Sequence, residues 1–87
     1  MINIQINEYD ESLFTPVTLL WRRAREVSLP DLQRLKGHPF DEDQVYFKDH
    51  ILVQDSVWVA EENSRLAGFI AVRNDLIDLL YVAPEYW

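Results

Sequence analysis

SVWVAEENSRLAGFIAVRNDLIDLLYVAPEYW, residues 56–87, decides the architecture of this chain. The runs "SVWVAE" and "RLAGFIAVR" are rich in β-branched and aromatic residues, and "ENS" parts them as a hairpin connection does. "DLIDLLYVA" adds a third run. Three strands joined by short connections make an antiparallel meander. Gly68, inside the second run, signals a bulge or the close approach of another backbone.

These strands are apolar on both sides. Val57 and Val59 point one way, Trp58 and Ala60 the other. Leu66, Ile70 and Val72 oppose Ala67, Phe69 and Ala71, while Ile77, Leu79 and Tyr81 oppose Leu80 and Val82. A sheet with one wet face alternates apolar and polar residues. This one asks for cover on both faces.

Working back toward the N-terminus, "INIQI" alternates with Ile2, Ile4 and Ile6 on one face, the pattern of a half-buried strand. Thr15 followed by Pro16 suits an N-cap and a first helical position. Leu13, Val17, Leu20, Ala24 and Val27 then form one apolar helix face, with Arg22, Arg23, Arg25 and Glu26 on the wet side. "SLPDLQRLKG" reads as a short helical piece ended by Gly37, and "HPF" as a turn. Asp41 is the expected cap of a helix from about Glu42 to Val53, with an acidic first turn. Phe47 and Ile51 lie four apart, and Val45 and Leu52 two turns apart on the same side. The predicted class is α+β in one domain spanning 1–87: a first strand at 1–8, a helical crossover of two or three helices at 12–53, and the meander at 56–83. All the helices lie in one crossover, which covers one sheet face and leaves the other without cover.

Composition narrows the function classes. The chain has 87 residues, 48% of them hydrophobic, with three Trp, four Tyr and four Phe, which suits one packed core rather than disorder. The net charge of −7 disfavours nucleic acid and anionic membranes and suits a cationic or amine-bearing partner, plain solubility being the bland alternative. With no Cys there is no disulfide, thiolate metal site or Cys nucleophile. No basic leader with an apolar run opens the chain, and no apolar stretch approaches about 18 residues, so the expected location is the cytoplasm. His38 and His50 have no ligand-spaced partners, so no metal is expected.

"VAE-turn-GFI", followed by a strand ending "LYVAP", resembles the N-terminal half of the GNAT superfamily of N-acetyltransferases. Leu80, Tyr81, Val82 and Pro84 match the family's strand end. Trp87 falls where the family's glycine-rich acetyl-CoA loop begins. No Gly follows Gly68, so that loop, its helix and the C-terminal strands are not among these residues. The resemblance implies acetyl transfer from acetyl-CoA to an amine, by a protein incomplete as an enzyme on its own. It implies that main-chain groups of Leu80, Tyr81 and Val82 face the acetyl and pantetheine groups; the plain alternative is an ordinary core strand. It makes Asp78, polar in an apolar strand, the candidate general base, against a strand-end acid facing solvent. Tyr81 itself reads as packing. Trp21, Trp58 and Trp87 read as core or interface anchors.

A different class of function is also compatible with the pattern: a non-catalytic module that dimerises or binds a partner. The run Leu76–Val82 is long, apolar and without Lys or Pro, and natural proteins blunt free sheet edges with such residues. The expectation is a homo-oligomer, or pairing with a complementary chain, through this last strand and the uncovered face.

Overall fold

The computed structural model describes residues 4–28 and 39–86. Four strands form one antiparallel sheet in the order β1-β2-β3-β4: β1 (Ile4–Glu8), β2 (Ser56–Glu62), β3 (Arg65–Arg73) and β4 (Leu76–Val82). Helix α1 (Phe14–Ser28) follows β1. Helix α2 (Phe40–Tyr46) continues through a π-helical turn (Phe47–Ile51) into a last α-helical turn (Leu52–Gln54) that leads to β2. The expected α+β plan of strand, helical crossover and meander is the one found.

The meander forms for local reasons. Asn63 and Ser64 both hold positive φ, 51° and 66°, and so close a tight two-residue hairpin between β2 and β3. Asn74, at φ 57°, serves the next turn. Gly68 does meet another backbone: a Cβ there would lie 2.7 Å from the Tyr81 carbonyl oxygen of β4. A pairing irregularity sits close by, between Ala60 and Glu61 of β2.

Both helical segments lie on one face of the sheet. Val17, Leu20 and Trp21 of α1 and Phe47 and Ile51 of the π turn pack against Val57, Val59, Phe69 and Ala71. Phe47 is the hub. Its ring meets Phe14 and Tyr9 at 6.4 Å, Phe69 at 5.8 Å and Trp21 at 5.6 Å. A clamp locks the two helices together. Asp43 of α2 accepts from Arg22 at 2.8 Å and from Arg25 at 3.0 Å, and Arg25 also lies over the Trp21 ring.

Several expectations are corrected. The chain does not enter α1 at a Thr15 cap. Asp10 accepts from the Ser12 amide and opens a short 3-10 turn (Glu11–Leu13), and α1 starts at Phe14. Trp21, not Val27, completes the buried stripe; Val27 is exposed, because the stripe is carried by the side chains over the sheet and Val27 lies beyond it. Arg22 and Arg25 are not on the wet side but turned in toward Asp43. Helix α2 starts at Phe40 with Pro39 in the cap position, so Asp41 stands inside the first turn, where its charge still suits the helix dipole. Val45 is exposed while Leu52 packs on the core, because the π turn between them changes the phase of the helix. Strand β1 is exposed along its length rather than half-buried: Ile4 and Ile6 share a face, but it is the one that no helix among the described residues covers. Ile2, the piece at 29–37, His38 and Trp87 lie outside the described residues.

Candidate functional site

Strand β4 is paired on one side only, by β3, among the described residues. The Ala83 amide donates to the Ala67 carbonyl at 2.7 Å, one step beyond the Gly68–Val82 register pair. Antiparallel pairs alternate between hydrogen-bonded and non-hydrogen-bonded. Phe69–Tyr81 and Ala71–Leu79 are therefore hydrogen-bonded pairs, and Gly68–Val82 and Ile70–Leu80 are not. The main chain of Tyr81 thus turns toward β3, and that of Leu80 turns outward at the sheet edge. The Tyr81 ring stacks on Phe69 at 5.9 Å, on the helix side. The Leu80 side chain, 61% exposed, stands on the opposite face.

Asp78 occupies a bulge. Pairing runs from Ala71–Leu79 directly to Val72–Ile77, so Asp78 is the extra residue on β4. A bulge re-aims a side chain out of the regular alternation. Asp78 is exposed, and beside it is Asp55, where the last α turn gives way to β2. Burial, and then the neighbouring Asp78, push the Asp55 carboxyl above its ordinary value, against a smaller downward pull from Arg73. Two ionised carboxylates have no proton to donate, and both Asp55 oxygens are buried without a donor among the described residues. A proton retained by Asp55 supplies the missing donor and removes the repulsion. Arg73 meanwhile donates to Gln54.

Next to this pair is a hollow of about 270 Å³ lined by Glu8, Tyr9, Leu52, Asp55, Ser56 and Trp58. It combines two carboxylates with two aromatic rings. The Tyr9 hydroxyl is buried without a partner among the described residues, and burial together with Glu11 and Asp10 raises its pKa. The uncovered sheet face forms a larger, apolar trough of about 440 Å³, whose floor includes Ile6, Trp58, Ile70, Leu80 and Val82.

Sequence reasoning singled out Asp78, Leu80, Tyr81 and Val82, and all four fall on β4. It missed Asp55. The available signal was a single acid at a helix-to-strand junction, "VQDSVWV", but its pairing with a residue 23 positions later exists only in the folded sheet. Among the described residues no group of three acids or His gathers as a metal site would, and no helix is long and apolar enough to cross a membrane.

No protein-family model matches this sequence, and no curated protein matches it at a significant level. Solved structures do. The apo-form solution structure of YjaB from Escherichia coli superimposes with a TM-score of 0.70 at 20% identity, over 95% of this chain and 54% of that one. The aminoglycoside N-acetyltransferase AAC(6')-Iy, solved in complex with CoA, superimposes with a TM-score of 0.56 at 18% identity, over 98% of this chain and 59% of that one. The fold is therefore GNAT-like, and the chain spans a little over half the length of each neighbour.

Proposed function

We propose that this chain forms the acceptor side of a GNAT-type acetyl transfer, in which an acetyl group passes from acetyl-CoA to an amine. The observation that carries the reading is the superposition of nearly the whole chain on an N-acetyltransferase solved with CoA. Two features of the site support it. The outward main chain of Leu80 offers an edge to which an extended, amide-bearing arm can hydrogen-bond. The hollow bearing Glu8 and Asp55 suits an ammonium group.

The residues fit the arm of acetyl-CoA but not its diphosphate. A diphosphate is commonly held by glycine-rich backbone at a helix N-terminus, and no Gly follows Gly68 here. When bound, acetyl-CoA supplies an acetyl group activated as a thioester. The chain's own residues do the rest. The carboxylate of Glu8 draws in and orients the protonated amine. Asp78, exposed at its bulge, takes the ammonium proton and leaves a neutral nitrogen lone pair. Asp55 beside it holds or shares that proton. Tyr81 acts from behind, stacking on Phe69 to fix the strand. Much of the rate in such a reaction comes from positioning.

The test is transfer of labelled acetyl from acetyl-CoA to a panel of polyamines and amino sugars, by the 87-residue protein mixed with a polypeptide that carries a glycine-rich loop. The expected result is acetylated amine, with Asp78→Asn slowing it about a hundredfold while the melting temperature holds. An unchanged rate would return Asp78 to a solvated strand acid, and no product with any amine would remove the reading. Alone, the 87-residue protein is expected to bind acetyl-CoA no tighter than about millimolar, because each missing charged hydrogen bond costs on the order of 1.5–3 kcal/mol. Calorimetry giving a micromolar constant would contradict this.

A second reading is a module that associates through β4, as a homo-oligomer or with a complementary chain. It is favoured by a seven-residue edge strand without Lys or Pro.

A further inference from the structure

Two hollows adjoin where β1 hands over to α1, and Tyr9 and Leu52 line both. The first, of about 270 Å³, carries Glu8 and Asp55. The second, of about 230 Å³, carries Glu11 of the 3-10 turn, Phe14 of α1 and Lys48 of the π-helical turn. Together they fall within the range of about 300–1,000 Å³ usual for small-molecule sites.

Their chemistries differ. The charged groups described around the first hollow are acids, whereas the second also holds a cation. Elsewhere in the fold Arg22 and Arg25 are held by Asp43, Arg23 by Glu85, and Arg73 donates to Gln54. The Lys48 ammonium has no such partner among the described residues, although Glu11 lines the same hollow. Lys48 stands on fixed backbone, because Phe47 before it is wholly buried. Both belong to the π turn, a departure from α-helical geometry that recurs at functional sites.

Tyr9, common to both hollows, has its hydroxyl buried with no partner among the described residues. Burial, and then Glu11 and Asp10, hold the proton on that hydroxyl, so it offers a donor. A buried donor left unpaired is costly, and a carboxylate is purely an acceptor. An anion within reach of Lys48 and Tyr9 therefore satisfies one charge and one hydroxyl together. Glu11 opposes it, which favours the Lys48 side of the hollow.

We propose that the two hollows form one groove for an amine that carries a carboxylate at its far end, an ω-amino acid or a short peptide. The ammonium sits by Glu8 in the first hollow, and the carboxylate meets Lys48 and the Tyr9 hydroxyl in the second. Leu52 packs on the carbon chain between them. An α-amino acid is too short, because one carbon separates its two charges while Tyr9 and Leu52 part the hollows. Acetylation of that amine rests on the acetyl-transfer reading above; its binding does not.

The test titrates the isotope-labelled 87-residue protein with ε-aminohexanoate, hexylamine and hexanoate, read by nuclear magnetic resonance. The expected result is that ε-aminohexanoate binds about fivefold or more tighter than either one-ended compound, as one ion pair and one hydrogen bond would give, and shifts the amides of both Tyr9 and Lys48. Lys48→Gln should abolish its advantage over hexylamine, and Tyr9→Phe should weaken it about threefold while leaving hexylamine unchanged. Glu8→Gln should weaken both amines alike, and Glu11→Gln should tighten ε-aminohexanoate alone. Lys48→Glu should make hexanediamine the preferred ligand. Equal binding of ε-aminohexanoate and hexylamine would overturn the proposal and leave the amine site of the acetyl-transfer reading standing. An advantage that survives Lys48→Gln would overturn it too, as would no binding by any of the three compounds. Binding of ε-aminohexanoate that depends on Lys48, without its acetylation in the transfer assay, would uphold the groove and remove the acetyl-transfer reading.

Discussion

The two faces of the sheet are made by alternate residues of the same strands, and they meet opposite fates. On one side Val59 and Phe69 are almost wholly removed from water, beneath Phe47 and Trp21. On the other side Leu80 and Ile6 keep more than half their surface exposed. The residue types differ little, Val and Phe on one side against Ile, Leu and Trp on the other. Hydrophobicity of a strand therefore does not decide which side is buried. The crossover decides it, because both helical segments lie in the connection from β1 to β2 and come down on one side. The same apolar chemistry stabilises the fold on the covered side and is available for contact on the open one.

That contrast can be broken by substitution. Phe47→Ala should cost about 3–5 kcal/mol, because it removes a ring in contact with four others and leaves a cavity. In a small domain this approaches the whole stability, so the denaturant midpoint should collapse. Leu80→Ala, a change of similar chemistry on the open face, should stay within about 0.5 kcal/mol. Equal losses in urea titrations would mean that the two faces are not different.

Gly68→Ala sharpens the comparison, since Gly68 contributes no hydrophobic side chain to either face. Its new Cβ would meet the Tyr81 carbonyl at 2.7 Å, a backbone atom that cannot swing away. Strands β3 and β4 must separate locally, at a cost of about 1–3 kcal/mol. Hydrogen exchange should show the loss as faster opening of β4 before that of β1 and β2. Uniform acceleration in all four strands would argue against a local clash.

The smallest effect is electrostatic and depends on pH. The Asp55 carboxyl is raised above its ordinary value, so the native state holds its proton where the unfolded chain has released it. The stabilising contribution is complete below the unfolded value and is lost as pH rises through the raised native value. Stability should therefore fall across that window. Asp55→Asn should flatten this part of the profile and make the protein slightly more stable at neutral pH. Thermal melts of the two proteins between pH 3 and 8 would check it, and parallel profiles would remove Asp55 from the account.

The meander was legible in the sequence because strand periodicity and turn residues are local signals. "ENS" marked the hairpin, and Gly68 marked a close approach that the fold contains. The prediction of an uncovered face was legible too, since apolar residues on both sides of each strand could not all be hidden by one crossover. The start of α1 was misread because Asp10 captures the Ser12 amide and inserts a 3-10 turn, so Thr15 and Pro16 arrive too late to begin the helix. The clamp of Asp43 by Arg22 and Arg25, and the pairing of Asp55 with Asp78, join residues distant in sequence. No window of neighbouring residues carries them. Of the site, the strand was visible and its companions were not.

The π-helical turn has a consequence for how this chain tolerates changes in length. The Leu52 amide reaches back five residues to the Phe47 carbonyl, where a regular helix would reach back four. The extra residue advances everything after it by about 100° around the axis. That offset lets Phe47 and Ile51 lie buried while Leu52 still packs on the core. Deleting one residue here would restore a regular helix and swing Leu52 off the sheet, whereas inserting one between Asn63 and Ser64 would only lengthen an exposed turn. Two single-codon changes of the same size thus carry opposite penalties, and drift in this chain should accumulate length variants in the hairpin and reject them in the helix.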